Sequence, residues 1–210
     1  MHAPRIKYPR TPHLPWSPGA SVDDLVHAIS THFDGLEVVV TEKMDGENTT
    51  LYADGLHARS LDGRHHPSRA WIKQLHGQLA HLIPDGWRLC GENLHARHSI
   101  AYDDLESWFC VFSIWDEHNL ALSWDETVEW AHLLGLVTVP VLDRGPWDEA
   151  RLRDLPLDTR RAEGWVVRTA DGFPFDAFAD HVAKWVRPHH VQTDDNWMFQ
   201  PVVTNGLRTP

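Results

Sequence analysis

A lysine stands at the junction of a predicted strand and a predicted turn. The β-branched run LEVVV (residues 36–40) is typical of a buried strand. Lys43 follows it, and Asp45-Gly46 predicts a turn directly after the lysine. An amine at the end of a buried strand loses part of its hydration, which favours the neutral, nucleophilic form. Taken alone, Lys-x-Asp-Gly most often marks a surface lysine beside a turn, so other residues must support the chemical interpretation.

Four other charged residues occur where predicted strands begin or end. They are Arg59 in HARS, Glu92 in CGENL, Glu163 in EGWVVR and Lys184 in AKWVR. Two carboxylates suit a divalent cation or ribose hydroxyls, and Mg²⁺ prefers one or two carboxylates together with substrate phosphates. The two additional cations suit phosphate oxygens. The set favours phosphoryl or nucleotidyl transfer, which depends mainly on positioning and charge neutralisation.

In order and spacing, these residues resemble the motifs of the covalent nucleotidyltransferases, and within them the ATP-dependent RNA ligases. The matching segments are Lys43-Met44-Asp45-Gly46, Arg59-Ser60, Gly91-Glu92-Asn93, FCVFSIWD (residues 109–116), Glu163-Gly164 and Lys184. The resemblance covers about residues 36–187, and the ordered set is far more specific than any single motif. It implies an α+β nucleotidyltransferase (ATP-grasp-like) domain of antiparallel sheets with flanking helices.

The resemblance also implies a role for each matched residue. Lys43 would attack the α-phosphate of ATP, expel pyrophosphate and hold AMP covalently. Glu163 would serve a Mg²⁺ or Mn²⁺ ion, and Lys184 would contact the α-phosphate during transfer, so these three are the expected catalytic residues. The other expected contacts are Glu42 with adenine through its backbone, Arg59 and Glu92 with ribose and phosphate, Phe112 with the adenine face, and Asn48 and Arg187 with the substrate 5′-phosphate.

Two motifs depart from the family pattern. Many members carry Lys-x-Lys in the last motif, whereas the cation that follows Lys184 here is Arg187. An acidic residue usually comes directly after the phenylalanine of the aromatic motif. Here Ser113 follows Phe112, and the acid comes later, at Asp116. The departures concern the second cation and the adenine contact, while the lysine motif is intact.

The rest of the sequence predicts the elements that position these residues. Strands are expected at WFCVFSIW, LVTVPV, GWVVR and HVAKWVR, with a hairpin at Asp54-Gly55. Helices are expected after Ser21 (apolar stripe Leu25, Val26 and Ile29), after Ser68, after the capping box Ser123-x-x-Glu126, and with loops within residues 143–161. Strands and helices do not alternate regularly, which favours α+β over a doubly wound parallel sheet.

The domain prediction is one adenylyltransferase domain over residues 1–187, beginning with a Pro-rich, extended lead-in (residues 1–19), followed by a short tail over residues 188–210. DNA ligases and mRNA capping enzymes usually add an OB-fold domain after the last lysine motif, and residues 188–210 are too few for one. An RNA ligase is therefore favoured. An ATP-dependent DNA ligase, a capping-type enzyme and a non-catalytic nucleotide-binding domain of the same fold are the alternatives.

Composition limits the partners. The 210 residues include 19 Lys+Arg and 30 Asp+Glu, a net charge of −11, which argues against coating nucleic acid by excess positive charge and fits local binding of RNA ends. Two cysteines and no apolar run long enough to cross a membrane predict a cytoplasmic protein without membrane contact. Whether an end-healing kinase–phosphatase acts with the protein stays open, and so does the oligomeric state.

The 16 histidines suggest no convincing set of metal ligands, because His95-x-x-His98 lacks a third ligand beyond Glu92.

Overall fold

Two β-sheets built mainly of antiparallel strands carry the motif residues. The computed structural model describes residues 4–61, 66–188 and 202–209. The first sheet has the order β11 (Val182–Val186), β9 (Gly164–Thr169), β1 (Glu37–Lys43) and β8 (Val141–Pro146). The second has the order β10 (Phe173–Pro174), β6 (Leu120–Ala121), β5 (Phe109–Trp115), β4 (Arg88–Asn93), β2 (Glu47–Tyr52) and β3 (Gly55–Ala58), while β7 (Val137–Thr138) pairs in parallel with β5.

Four α-helices flank these sheets within the described residues. They are α1 (Ala70–Leu79), α2 (Trp124–Leu133), α3 (Glu149–Arg153) and α4 (Phe178–His181). Helix α2 begins at the predicted capping box: Ser123 Oγ accepts from the Glu126 N–H, and the Glu126 carboxylate accepts from the Ser123 N–H. The strands and helices together confirm the α+β prediction, with antiparallel sheets and few helices.

Strand β1 connects two parts of the core. Alternate side chains of a strand point to opposite faces. Val38 and Val40 pack with Trp165 in one buried cluster, whereas Val39 packs with Leu94 in another that includes residues of the second sheet. All three valines are fully buried. The β-branched run therefore fixes which face of β1 meets each layer, and with it the position of Lys43 at the end of the strand.

The helix predicted after Ser21 is wrong. Residues 21–30 contain no helix, and Leu25, Val26 and Ile29 are exposed rather than packed as a stripe. The backbone of this segment bonds to the lead-in instead: the His13 N–H donates to the Leu25 carbonyl at 2.6 Å, and the His27 N–H donates to the His13 carbonyl at 2.8 Å. These long-range bonds replace the local bonds that a helix would need.

Two other predicted elements are shifted. The hairpin forms, but Tyr52 pairs with Gly55, so the turn residues are Ala53 and Asp54 rather than Asp54 and Gly55. Residues 143–161 are not mainly a helix. Strand β8 extends to Pro146 because it pairs with β1, and the helix that follows, α3, is only five residues long.

The lead-in lies against the first sheet. The Lys184 N–H donates to the Pro12 carbonyl at 2.9 Å, and the Leu14 N–H donates to the Lys184 carbonyl at 2.8 Å. Leu14 is fully buried in the same cluster as Val38 and Val40. Residues 12–14 therefore run beside β11 as an additional extended segment.

Described residues of the tail also pack on the domain. Asn205 is buried, its side-chain amide donates to the Leu94 carbonyl at 2.8 Å, and its Oδ1 accepts from the Tyr102 N–H at 3.0 Å. The Trp108 indole N–H donates to the Asn205 carbonyl at 2.9 Å. Across the described ranges, no helix has the length and apolar character needed to span a bilayer.

Two glycine substitutions test the sheet register. We expect Gly164→Ala to destabilise the protein by about 1–3 kcal/mol or more, because a Cβ there would overlap the Trp185 carbonyl of β11. Gly77→Ala is the control, since nothing lies within 4 Å of a Cβ at that helical position. The control should be stabilised by about 0.5–1 kcal/mol. Urea unfolding of both variants measures the difference, and equal stabilities would contradict the register.

Candidate functional site

The motif residues meet in one cleft of about 900 Å³ whose walls come from both sheets and from the lead-in. The cleft is lined by eight of the nine residues that the sequence assigned to a site, namely Glu42, Lys43, Asn48, Arg59, Glu92, Phe112, Glu163 and Lys184. The ninth, Arg187, is not among the lining residues. Its backbone N–H donates to the Glu163 carbonyl at 3.0 Å, and its Nε is buried without a hydrogen-bond partner in the described part of the chain.

Lys43 and Glu163 form the central contact of the cleft. Lys43 is the last residue of β1 and lies opposite Gly164, the first residue of β9, so the preceding Glu163 comes beside the lysine. The Lys43 Nζ donates to Glu163 Oε2 at 2.5 Å. The Glu163 side chain is only 5% exposed and the Lys43 side chain 26%. The nucleophile candidate is thus held by a buried carboxylate while its amine still reaches the open cleft.

Glu92 lies on β4 directly opposite Asn48 of β2. Its Oε1 accepts from the Gly46 N–H at 3.1 Å, which ties the carboxyl to the turn of the lysine motif. Burial raises the pKa of Glu92 to about 8, and the negative charges of Glu163 and Asp45 act in the same direction, against the opposing charge of Lys43. Glu92 therefore holds a proton in much of the neutral pH range.

The second lysine belongs to the other flank of β9. Lys184 on β11 lies opposite Val166, and it is half-buried. Burial lowers the pKa of Lys184, and the nearby positive charge of Lys43 lowers it further. Two lysines on strands separated only by β9 thus face the same space, as expected of a site that receives an anion.

A network of hydrogen bonds holds the motif turn. Asp45 Oδ2 accepts from the Ser99 hydroxyl at 2.7 Å and from the Ile100 N–H at 2.8 Å. The Asp45 N–H donates to the Tyr102 hydroxyl at 2.9 Å, and Tyr102 is in turn bonded to Asn205 of the tail. The sequence analysis did not identify Ser99, Tyr102 or Asn205, and no local motif marks them.

Asn48 and Arg59 lie at the hairpin of the second sheet. The Arg59 N–H donates to the Asn48 carbonyl at 3.0 Å, so the hairpin register places both beside the cleft. Burial lowers the pKa of the half-buried Arg59. The Oδ1 atom of Asn48 is buried and has no hydrogen-bond partner among the described residues. A buried polar atom of this kind retains the capacity to bind a ligand.

An aromatic wall and an acidic residue complete the cleft. Phe112 is half-buried, and the ring of Tyr8 from the lead-in meets it edge-on with centroids 5.2 Å apart. Tyr8 was not predicted as part of the site. Burial raises the pKa of Glu42, whose backbone N–H donates to the Pro140 carbonyl at 2.8 Å. An aromatic face next to a polar strand end suits a planar, polar ring.

No group of three or more histidine, cysteine, aspartate or glutamate side chains that could hold a metal ion occurs in residues 4–61, 66–188 and 202–209. His95 packs instead against Trp108, with ring centroids 4.8 Å apart. Cys90 and Cys110 are both free and buried. The residue pairs His65-His66 and His189-His190 include positions outside the described residues.

The fold is that of RNA ligases of known structure. An RNA ligase from Naegleria gruberi, in a mutant form with AMP and Mn, superposes with a TM-score of 0.53 at 19% identity over 75% of this chain and 51% of that one. An archaeal ATP-dependent RNA ligase gives a TM-score of 0.58 at 18% identity over 85% of this chain and 48% of that one. The chain thus spans about half the length of these structures. No curated protein sequence matches it.

Sequence places the chain within the same group. The family model described as RNA ligase matches residues 36–186, which include every motif quoted above. The chain therefore belongs to the RNA ligase family, and the resemblance read from the motifs is confirmed.

The pKa of Glu92 predicts a pH dependence of folding. Between pH 4.5 and about 8 the folded chain keeps a proton on Glu92 that the unfolded chain releases, so this group's stabilising contribution is lost as the pH rises through that window. We expect the free energy of unfolding of the wild type to fall relative to that of Glu92→Gln from pH 5 to 8. Glutamine can still accept the Gly46 N–H and does not titrate. Urea unfolding at several pH values measures this, and parallel pH profiles would contradict it.

Tyr102→Phe tests the support of the motif turn. It removes the acceptor of the Asp45 N–H, and leaving a buried donor unpaired costs about 1–3 kcal/mol. Tyr52→Phe is a matched control, because its hydroxyl accepts the Ile6 N–H at 3.0 Å away from the cleft. Urea unfolding should show a loss in both variants, but only Tyr102→Phe should also weaken nucleotide binding at the cleft. Equal nucleotide affinity in the two variants would refute the turn's dependence on Tyr102.

Proposed function

We propose that the chain carries the adenylyltransferase domain of an ATP-dependent RNA ligase, which seals 5′-phosphate and 3′-hydroxyl ends through a lysyl-AMP on Lys43 and an adenylylated RNA end. The observation that carries the proposal is the 2.5 Å contact of Lys43 with the buried Glu163 inside the shared cleft of a chain from the RNA ligase family. The ATP-dependent archaeal relative and the AMP-containing Naegleria structure support adenylate as the transferred group.

In the first step, the neutral amine of Lys43 attacks the α-phosphorus of ATP. A nitrogen–phosphorus bond forms, the bond from phosphorus to the bridging oxygen of the leaving group breaks, and pyrophosphate departs with that electron pair. The amine proton leaves to solvent or to an acceptor in the cleft. Glu163, hydrogen-bonded to the amine, orients Lys43 for attack. Lys184, half-buried across β9, neutralises charge that develops on the α-phosphate.

The remaining cleft residues divide between the parts of the nucleotide. Phe112 stacks on adenine, and the backbone of Glu42 meets its edge, since both lie on the cleft wall near the end of β1. Arg59 and Glu92 hold the ribose and phosphate side. A protonated carboxyl at Glu92 can donate to a ribose oxygen as well as accept from a hydroxyl, which the raised pKa of Glu92 permits near neutral pH.

The donor set fits a Mg²⁺ or Mn²⁺ ion bound together with the nucleotide. Glu163 would hold the ion, because it supplies a hard carboxylate oxygen at the bottom of the cleft, and such ions take one or two carboxylates plus substrate phosphates. When bound, the ion neutralises phosphate charge and so eases departure of pyrophosphate.

The second and third steps act on RNA. The 5′-phosphate of the RNA attacks the α-phosphorus of lysyl-AMP, the phosphorus–nitrogen bond breaks, and Lys43 regains its amine. The 3′-hydroxyl of the other end then attacks the 5′-phosphorus and expels AMP. Asn48, which lines the cleft, contacts the 5′-phosphate end through the N–H donors of its side-chain amide. Arg187 would need to turn toward the cleft to assist, because its side chain is not part of the present lining.

We further propose a domain organisation, a cellular location and a role in RNA repair for the enzyme. We assign the adenylyltransferase domain to residues 1–187 and treat residues 188–210 as an appended tail, whose described part packs on the 94–108 segment. A cytoplasmic location follows from the use of ATP and RNA and from the two free thiols. RNA repair with an end-healing kinase–phosphatase would supply the required 5′-phosphate and 3′-hydroxyl ends.

Lys43→Ala tests the covalent step. The variant should lose all labelling by α-labelled ATP and all sealing of nicked RNA, because no other group replaces the nucleophile. Lys73→Ala removes a lysine from α1, outside the cleft, and should label like the wild type. The measurement is a denaturing gel with peptide mapping, on protein freed of bound AMP by treatment with pyrophosphate.

The same assay separates the alternative functions. Label from GTP but not ATP would indicate a capping-type enzyme, and sealing of nicked DNA in preference to nicked RNA would indicate a DNA ligase. A folded wild type that takes no label from either nucleotide would refute the catalytic proposal and leave a binding domain of the same fold. Sealing by Lys43→Ala at the wild-type rate would also refute it.

A further inference from the structure

Residues of the lead-in form one wall of the cleft, and two anchors fix them. On one side the half-buried ring of Tyr8 meets Phe112 and Phe178 edge-on, with centroids 5.2 and 5.4 Å apart. On the other side, Pro12 and Leu14 are hydrogen-bonded to the backbone of Lys184. The residues between these anchors cannot move far from the cleft, so their side chains belong to its permanent surface.

Arg10 is the charged residue between the two anchors, and it lines the cleft. Its Nη2 donates to the Asp23 carbonyl at 2.7 Å and lies 3.6 Å from Asp24 Oδ1. Its side chain is 50% exposed. A guanidinium carries five N–H donors in a planar fork. Within the described chain both contacts are made by Nη2 alone, so most of the fork can still bind a ligand.

Arg10 shares the cleft with other cations, among them Arg59, Lys184 and Lys43. Burial lowers the pKa of Arg59, and the positive charge of Arg10 lowers it further, which means that the two guanidiniums are close enough to repel. Burial lowers the pKa of Lys184, and the positive charges of Lys43 and Arg59 lower it further. Arg59 thus interacts with both Arg10 and Lys184, and Lys184 interacts with Lys43. Like charges gathered in a low-dielectric cleft favour the binding of anions between them.

We propose that Arg10, together with Arg59, binds a phosphate group of the substrate in the cleft that also holds Lys43. A guanidinium fork matches phosphate oxygens in bidentate geometry, which an ammonium does not. The identity of the phosphate rests on the function proposed above. With the α-phosphate at Lys43 and Lys184, the group at Arg10 belongs either to the β- and γ-phosphates of ATP or to the 5′-phosphate of the RNA. The chemistry of recognition is the same in both cases.

Anion binding tests the site without reference to catalysis. Isothermal titration with inorganic pyrophosphate should give about 10- to 100-fold weaker binding to Arg10→Gln than to the wild type, with Arg10→Lys in between. Arg208→Gln is the control, because Arg208 also pairs with an aspartate, Asp104, but lies outside the cleft. Its affinity should equal that of the wild type. Thermal unfolding of each variant verifies that the lead-in stays docked.

Two kinetic assays distinguish the sources of the phosphate. If Arg10 binds the phosphates of ATP, Arg10→Gln should lower kcat/KM for labelling of Lys43 by α-labelled ATP about 10- to 100-fold and leave sealing of pre-adenylylated RNA unchanged. If Arg10 binds the RNA end, labelling should be unchanged, and AMP transfer from the isolated labelled enzyme to 5′-phosphorylated RNA should slow by a similar factor. Either result supports the proposal.

Equal pyrophosphate affinity in the wild type and Arg10→Gln, together with unchanged labelling of Lys43 and unchanged AMP transfer to RNA, would overturn the proposal. This failure is distinct from failure of the proposed function. A wild type that takes no label from ATP but binds pyrophosphate through Arg10 would refute the ligase chemistry and retain the phosphate site.

Discussion

The contact between the Lys43 amine and the Glu163 carboxylate is the interaction on which the surrounding structure depends. Both groups are largely withdrawn from water. Removing one partner would leave an unpaired buried charge, which costs about 3–5 kcal/mol of folding free energy. The register of β1 on β9 brings the two together. A slip by one residue would turn Val38 and Val40 away from their core cluster and separate the pair. Packing of the core and pairing of the charges therefore select the same register.

The protonation of the other charged groups in the cleft depends in part on this pair. Burial raises the pKa of Glu92 to about 8, and the negative charges of Glu163 and Asp45 act in the same direction against the positive charge of Lys43. On the other side, burial lowers the pKa of Lys184, and the positive charges of Lys43 and Arg59 lower it further. The cations of the cleft thus repel one another. An incoming anion at the cations relieves that repulsion, so affinity for phosphate is built into the arrangement before any ligand arrives.

The site residues at the ends of β-branched strands could be predicted from the sequence, because a strand fixes the position of its last side chain. Lys43, Glu92 and Lys184 were assigned from sequence and do line one cleft. The residues that surround them could not be predicted in the same way. They reach the site through contacts between distant parts of the chain, and they lie in segments without strand or helix periodicity. These residues are Tyr8, Arg10, Tyr102 and Asn205. The helix predicted from the apolar stripe after Ser21 is wrong for the same reason. The backbone of that segment forms hydrogen bonds with the lead-in instead of the local bonds of a helix.

Pairing with the lead-in fixes the position of β11 and therefore of Lys184. An edge strand has unpaired backbone groups and a less fixed position. Here β11 has β9 on one side and residues 12–14 on the other, so Lys184 is held like a residue of a central strand. Lys43 lies two strands away, across β9, which places the two backbones about 10 Å apart from the strand spacing alone. The two ammonium groups carry like charges, so an anion that lies between them would reduce their repulsion. The sheet therefore sets the spacing of the two lysines, and the lead-in holds β11 in place.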